Sequence, residues 1–491
     1  MTSLTLSGSS SLKPDGGARP PAPLSAFELR LDLHPGAALP PAGDLPTIYT
    51  CRRPQDGGRF AGSEVERAAA LRRALAACRP DDRIDIEWDS DFRDWPRRHP
   101  DIGFIVSYHN LSVTPPDLDG LLTRMAAEPA REYKIITAAR TWRDIVAIKR
   151  LLADARRRAI PLTAYCSGPL GPVSRLLALA WGTGRLYLAA GTPLVSGMLT
   201  AEEFFKVYRA QRVTVGSRLY GVAGYPVERS LSPCLHNWLF ESRSSPDLYL
   251  PLPVPDPDDF LAALPELDIT GLSVTVPLKE QLRGLCVSCS AEATRIRAVN
   301  TLTRGDGGWH GDNTDWSGFR DGAAGFLPAA GPVLVLGAGG SARAVMYALE
   351  LAGIKPFVWN RGRERLARLL ADYPAVRPWN ASRTLTVQAV INTLPHDAVV
   401  GLDEAGLGGH PPVPVFDLNY GFPASRILSD AATRHWPVRD GLSMLYHQAR
   451  AQHRRWTGGD PPVSWGQARK LLLQAVRERS SDGEPSPGGD A

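Results

Sequence analysis

The sequence predicts an α/β chain: an N-terminal (β/α)8 TIM barrel, then a two-domain unit whose C-terminal part is a Rossmann-type dinucleotide-binding domain. Three observations carry this. Strand-like and helical runs alternate through the first 215 residues, and a Gly-x-Gly-x-x-Ala turn joins a strand to a helix at Gly337. The chain has 491 residues, 43% of them hydrophobic, which is enough for about three packed units.

Nine β-branched or alternating runs read as strands: Ser3–Leu6, Phe27–Leu33, Thr47–Arg52, Ile84–Trp88, Phe104–His109, Lys134–Ala138, Leu162–Cys166, Leu186–Ala189 and Arg212–Val215. Helical patterns at Ser63–Cys78, Leu118–Ala127, Thr141–Arg158, Val173–Trp181 and Ala201–Tyr208 separate most of them. Such alternation requires parallel strands with right-handed crossovers, and eight of them close a barrel of this length. The first crossovers are stripped down. Pro14, Pro20, Pro21 and Pro23 precede the second strand, and Pro35, Pro40, Pro41 and Pro46 the third, where they exclude ordinary helices. From Arg218, LYGVAGYP reads as a strand entering a glycine turn. PVLVLGAGGSARAVMYALELAG reads as strand, turn and helix, with a further strand at Lys355–Trp359. The expected divisions are 1–215 for the barrel, 216–325 for a substrate domain completed by helices in 441–478, and 326–440 for the nucleotide domain. Residues 479–491 form a Ser/Gly/Pro/acid tail, expected to be disordered.

A formal net charge of +5 is too small in so long a chain to imply a nucleic-acid or membrane partner. No run of about 18 apolar residues reads as a membrane span, and the N-terminus has no secretory pattern. Six scattered cysteines fit reduced thiols of the cytoplasm. Cys286 and Cys289 form one CxxC without a second ligand pair, which reads most simply as two small apolar side chains; no metal site is expected. The chain has seven lysines against 49 arginines, so each lysine is informative: Arg cannot deprotonate, whereas Lys can act as an amine nucleophile or a proton donor.

In the glycine turn, Gly337, Ala338, Gly339, Gly340, Ser341 and Ala342 have the order that lets backbone approach a pyrophosphate at a helix N-terminus. The next strand ends in Asn360-Arg361-Gly362-Arg363, where NAD-preferring sites carry a carboxylate. Arg361 and Arg363 instead suit a 2′-phosphate, so the expected cofactor is NADP(H).

The ordered segments YPVERSLSPCLHN, GLSVTVPLKE, AVNTL, GDNTDWSGF, DLNYGFP and GLSMLYHQ, with the glycine turn, resemble the shikimate dehydrogenase family over about 260 residues. The resemblance places Ser230, Ser232, Thr275, Asn300, Tyr420 and Gln448 on the substrate, makes Lys279 and Asp315 the catalytic pair, and assigns Leu418 and Gly441 to the cofactor. Reduction of a ketone needs a positioned acid, and a lysine ammonium beside a carboxylate supplies one. Ser273 stands where many relatives have Asn, and Gly362 where Thr is common.

FELRLD, YTCRRPQDGG, DIEWD, VSYHN, YKIIT and GPVSRL, each at or near a strand end, resemble the type I 3-dehydroquinate dehydratases over roughly residues 1–215. In that family the N-terminal strand opens the barrel, so Ser3–Leu6 becomes the first strand and Arg212–Val215 a linker. The resemblance makes Lys134 the Schiff-base lysine and His109 the general acid and base, with Glu28, Arg30, Arg52, Asp56 and Arg175 around the substrate and Tyr187 as a wall. Burial beside Ile135 and Ile136 favours the neutral amine that attacks a ketone. This chain departs from the family in the loop after the last strand. Leu194 and Ser196-Gly197-Met198 replace a Ser and a Pro-Gly-Gln, and Asp56 replaces a longer Glu.

Together the two halves read as a fused enzyme that dehydrates 3-dehydroquinate and reduces the resulting 3-dehydroshikimate to shikimate with NADPH. The alternatives are a shikimate or quinate dehydrogenase whose barrel is an impaired scaffold and, on Arg richness alone, a nucleic-acid binder. The sequence leaves the oligomeric state open.

Overall fold

The computed structural model describes residues 2–8, 24–33, 39, 43–380, 386–421 and 423–481. Most of the two proline-rich crossovers and residues 482–491 of the expected tail lie outside the described residues. Backbone contacts divide the chain into Met1–Leu219 with Pro246–Ile269, and Tyr220–Ser245 with Thr270–Ala491.

In the first unit, eight strands run in parallel: β1 Ser3–Gly8, β2 Leu24–Arg30, β3 Thr47–Thr50, β4 Arg83–Glu87, β5 Gly103–His109, β6 Glu132–Ala138, β7 Leu162–Ser167 and β8 Arg185–Ala189. Sequential neighbours pair from β1 to β7, and β8 pairs with β1. The Gly184 N–H donates to the Leu162 carbonyl at 2.8 Å and brings β8 to β7, closing the barrel. The outer helices begin where side chains can satisfy their free N–H groups. Ser63 with Glu66 and Thr141 with Asp144 form capping boxes on Glu64–Ala77 and Trp142–Arg157. The latter helix buries Ile145, Ile148, Leu151, Leu152 and Ala155, the i, i+3, i+4 face of an amphipathic helix.

One sequence expectation is corrected near the end of this unit. Ala201–Tyr208 does not form a full α-helix: its hydrogen bonding widens into a π-turn at Glu203–Val207. Arg212–Val215 forms no strand, in keeping with the linker that the family resemblance implies. It follows the short 3-10 turn Ala210–Arg212, whose preceding Arg209 adopts a left-handed conformation that breaks extension. A further strand, β10 (Leu248–Pro253), belongs to the segment grouped with this unit.

The second unit holds β9 Leu219–Gly224, β11 Ile269–Val274, β12 Cys286–Cys289, β13 Thr301–Gly305 and β14 Gly308–Asp312. β9 flanks β11, β13 is antiparallel to both β11 and β14, and β12 is parallel to β14. A separate sheet contains β15 Val333–Leu336, β16 Phe357–Trp359, β17 Arg377–Pro378, β18 Ala389–Asn392, β19 Val415–Asp417 and β20 Val438–Arg439. Its order is β17-β16-β15-β18-β19-β20 with every pair parallel, the doubly wound arrangement in which ligands bind where the strand order reverses. Side-chain alternation accounts for its two cores. Val333 and Val335 pack on one face with Val345 and Leu369, while Leu334 and Leu336 pack on the other with Ile427 and Trp436. The final helix, Trp465–Ser481, runs into the first residues of the stretch expected to be a tail.

Candidate active sites

The barrel site follows from strand periodicity. Inward side chains recur every second residue, so Glu28 and Arg30 on β2, Asp85 and Glu87 on β4, and Ser107 and His109 on β5 share the interior with Lys134 on β6 and Tyr187 on β8. Lys134 lies in register with Ser107. Its Nζ is 3.1 Å from Asp85 Oδ2, 4.0 Å from Glu28 Oε1 and 3.9 Å from the centre of the Tyr187 ring. The lysine is 5% exposed, so these neighbours replace water almost completely. Arg52 reaches Asp85 at 2.7 Å and Glu87 at 2.9 Å, and Arg67 reaches Glu87 at 2.7 Å. Burial alone would raise the Asp85 carboxyl, but Arg52 and Lys134 overcome it and hold the group below the ordinary carboxylate range.

A pocket above this floor is lined by Lys134, His109, Arg30, Arg52, Asp56 and Arg175 among others. Arg30 is engaged by Asp32 through two bonds of 2.8 and 2.7 Å, and Arg53 Nε donates to Asp56 at 2.6 Å. Arg175 differs from the other pocket cations: among the described residues it has no carboxylate partner. It donates instead to the carbonyls of Cys166 at 3.0 Å and Gly197 at 2.6 Å, and its Nε has no partner. A buried guanidinium so placed has an N–H donor left to offer an anionic group. His109 Nδ1 is also buried without a partner. Burial first, then the charges of Arg52 and Lys134, push its imidazole well below the ordinary value, so the ring is neutral and can accept a proton. Leu194, Val195 and Met198 line the same pocket, and the Arg175 bond to Gly197 ties their loop in place.

The sequence-predicted residues Glu28, Arg30, Arg52, Asp56, His109, Lys134, Arg175 and Tyr187 are thus brought together. Asp85 was missed. Its signal was the DIEWD run, where two acids at i and i+2 on a strand must point the same way, opposite the lysine.

In the second unit, Lys279 Nζ is 2.5 Å from Asp315 Oδ2 and donates to Ser341 Oγ at 3.2 Å. Asp315 opens the helix Asp315–Ala323, where the positive end of the helix dipole favours a carboxylate. Asn300 Nδ2 donates to Asp315 Oδ1 at 2.7 Å and to Gln448 Oε1 at 3.5 Å. Ser230 lies near the Tyr420 phenol, and Ser232 N–H donates to Ser230 Oγ at 3.2 Å. Burial raises the Tyr420 phenol above its ordinary value. Thr275 is anchored through its N–H to the Ala223 carbonyl at 2.9 Å. Ser273 is buried and donates to Gln452 Oε1 at 2.8 Å; Gln452 in turn donates to the Asn300 carbonyl at 3.1 Å, so a hydrogen-bond chain links Ser273 to Asn300.

The nucleotide cradle fits its expected occupant. Gly337 has φ +113°, a conformation that L side chains rarely adopt, and Gly339 has open space where a side chain would stand. Ser341 and Ala342 enter the helix Gly340–Leu351 directly behind them. Asn360 Nδ2 is bound to the Gly362 carbonyl at 2.8 Å, while Arg361 and Arg363 are exposed and make no ion pair among the described residues. Leu418 and Gly441 meet at backbone level: a Cβ on Gly441 would stand 2.1 Å from the Leu418 carbonyl oxygen. Among the described residues no three potential metal-ligating side chains converge.

Residues 21–214 match the type I 3-dehydroquinase family, and residues 222–302 match the shikimate dehydrogenase substrate-binding domain. The chloroplastic bifunctional 3-dehydroquinate dehydratase/shikimate dehydrogenase of Arabidopsis thaliana is 30% identical over 457 residues, 85% of this chain and 74% of the relative. The chain belongs to the bifunctional 3-dehydroquinate dehydratase/shikimate dehydrogenase family. The shikimate dehydrogenase (NADP(+)) of Acidiphilium cryptum is 39% identical over 264 residues, covering 50% of this chain and 93% of the relative. The crystal structure of shikimate 5-dehydrogenase from Thermus thermophilus, in complex with NADP(H) and shikimate, is 32% identical with a TM-score of 0.46; it covers 53% of this chain and 100% of that one. Within the bifunctional family frame, the type I dehydroquinase match contains both His109 and Lys134. The second match contains Thr275, Lys279 and Asn300, and the glycine turn lies beyond it. No helix among the described residues is long and apolar enough to cross a membrane.

Proposed function

We propose that the barrel converts 3-dehydroquinate to 3-dehydroshikimate through an imine on Lys134, and that the second unit reduces 3-dehydroshikimate to shikimate with NADPH. The observation that carries the first half is a buried lysine placed in one pocket with a neutral His109 and with Arg175, whose guanidinium has no carboxylate partner among the described residues. Arg175 receives the substrate carboxylate. The Lys134 ammonium first releases a proton to solvent; the freed amine attacks the ketone, and the hydroxyl formed takes up a proton and leaves as water, giving an iminium that acidifies the adjacent carbon. His109 removes that proton and returns it to the departing hydroxyl, so water is lost and the ring is reset. Hydrolysis of the conjugated iminium frees Lys134.

In the second half, Lys279 donates the proton that the substrate oxygen requires, and Asp315 holds the ammonium. Asn300 and Gln448 orient the substrate hydroxyls. The glycine turn, Ser341, Asn360, Arg361, Arg363, Leu418 and Gly441 would hold NADPH, which supplies the hydride when bound. Free thiols suit a reducing cytoplasm as the compartment.

Borohydride trapping in the presence of 3-dehydroquinate tests the barrel directly: the expected result is a reduced adduct on Lys134. A second reading rests on Leu194, Val195 and Met198, which present apolar surface where polar contacts to a polyhydroxylated substrate are expected. In that reading the barrel is a scaffold, and no adduct forms.

A further inference from the structure

Cys286 and Cys289 stand at the two ends of β12. Side chains alternate along a regular strand, so positions i and i+3 face opposite sides. Here the pairing with β14 shifts: Cys286 opposes Trp309, Ser288 opposes His310 and Cys289 opposes Gly311, leaving Val287 as an extra residue. The bulge turns both sulfurs to one place. A methyl group on Gly311 would lie 2.7 Å from Cys286 Sγ and 3.1 Å from Cys289 Sγ, so only glycine leaves the thiols side by side. The Cys286 thiol donates to the Leu282 carbonyl at 3.4 Å and is pushed up to about 12, first by burial and then by the neighbouring Cys289. Both cysteines are free and partly exposed. A structural zinc site takes four ligands, and no third candidate converges here among the described residues.

The pair adjoins the dehydrogenase machinery. Ser290, next to Cys289, donates from its N–H to the Gly311 carbonyl at 2.9 Å and from its hydroxyl to Asp312 Oδ1 at 3.0 Å. The Asp312 carbonyl accepts from the Asn300 N–H at 3.0 Å, and three residues further along the chain is Asp315. We propose that Cys286 and Cys289 form a reversible disulfide, and that closing it slows the dehydrogenase site by shifting Gly311–Asp315 against Asn300. The second part rests on the dehydrogenase reading above; the first does not. With a small disulfide such as glutathione disulfide as oxidant, the Cys289 thiolate attacks one sulfur and releases one glutathione thiolate. The Cys286 sulfur then displaces the second. Each departing thiolate takes up the proton its attacker lost, so two protein thiols are oxidised and one glutathione disulfide is reduced to two thiols.

The test uses the intact chain, fully reduced and then incubated with glutathione disulfide. Trypsin leaves both cysteines in one peptide, residues 284–295, bounded by Arg283 and Arg295. The expected result is loss of two hydrogens from that peptide, together with shikimate oxidation slowed about fivefold or more. Dithiothreitol should restore the rate, dehydration by the barrel should not change, and Cys286→Ser and Cys289→Ser should each be insensitive to the oxidant. A peptide that stays reduced, or that only carries glutathione, overturns the disulfide. A disulfide that forms without altering the rate overturns the coupling. If the reduced chain does not oxidise shikimate at all, the dehydrogenase reading falls and the peptide mass still decides the disulfide.

Discussion

Lys134 on β6 and Asp85 on β4 form an ion pair of 3.1 Å inside the barrel, and Asp85 also receives Arg52 at 2.7 Å. One carboxylate therefore compensates two buried cations. Asp85→Asn leaves Glu28 and Glu87 as their remaining partners, so the expected loss is about 3 kcal/mol, the low end for breaking a buried pair. Urea unfolding at neutral pH measures it. The native Asp85 carboxyl lies below its unfolded value, so its contribution is fully present above the unfolded carboxylate pKa and is lost as pH falls through the folded one. The variant should consequently lose stability less steeply in acid than the parent chain.

The two lysines should separate the activities. Lys134→Ala is expected to abolish dehydration and borohydride trapping while shikimate oxidation continues, because Lys279 and Asp315 lie in the other contact unit. Lys279→Ala should do the reverse. Steady-state assays of both reactions on each folded variant check this, and loss of both activities from either change would refute the two-site assignment.

His109 gives a pH prediction. Burial and four nearby cations hold its imidazole well below 6.5, so in the free enzyme it remains a competent base at pH values where an ordinary histidine is already protonated. The kcat/KM for dehydration, followed downward from neutrality, should show no acid limb centred on 6.5 from this group. A limb there that His109→Asn removes would contradict the assignment.

Much of this site was legible because barrel strands obey a period of two, so the motif residues at strand ends could point only to one interior. Lys134 stood out because the chain uses Arg almost everywhere else. Two features were not legible. The Asp85 pair joins β4 to β6 across the barrel interior: the DIEWD run puts Asp85 and Glu87 on one face but does not say which of them meets the lysine. The convergence of Cys286 and Cys289 depends on a bulge, which arises from how β12 registers on β14 rather than from either segment alone. The π-turn at Glu203–Val207 was misread for a related reason: periodicity records an apolar face but not the hydrogen-bond spacing that presents it.

The closing loop can be tested by restoring polarity. Leu194 and Met198 line the pocket, and Met198 follows Gly197, whose carbonyl Arg175 holds at 2.6 Å, so a longer polar side chain at 198 would be delivered to a fixed place. Met198→Gln combined with Leu194→Ser should lower the KM for 3-dehydroquinate roughly tenfold, since a hydrogen bond regained in such a pocket contributes about 1–3 kcal/mol. An unchanged KM with normal folding would show that the loop does not touch substrate.

Cofactor choice rests on Arg361 and Arg363, which are exposed, make no ion pair among the described residues and flank the turn at the end of β16. The 2′-phosphate is the only group that distinguishes NADPH from NADH there, and charge-assisted bonds to it are made by these guanidiniums in the proposed complex. Replacing both by Ala should raise the KM for NADPH by roughly tenfold or more while leaving the weaker use of NADH almost unchanged. Because the contacts are exposed, the parent chain's preference should also shrink as salt is raised, and the variant's should not. Measuring both KM values at low and high ionic strength separates this from a general loss of the nucleotide fold, which would weaken both cofactors alike.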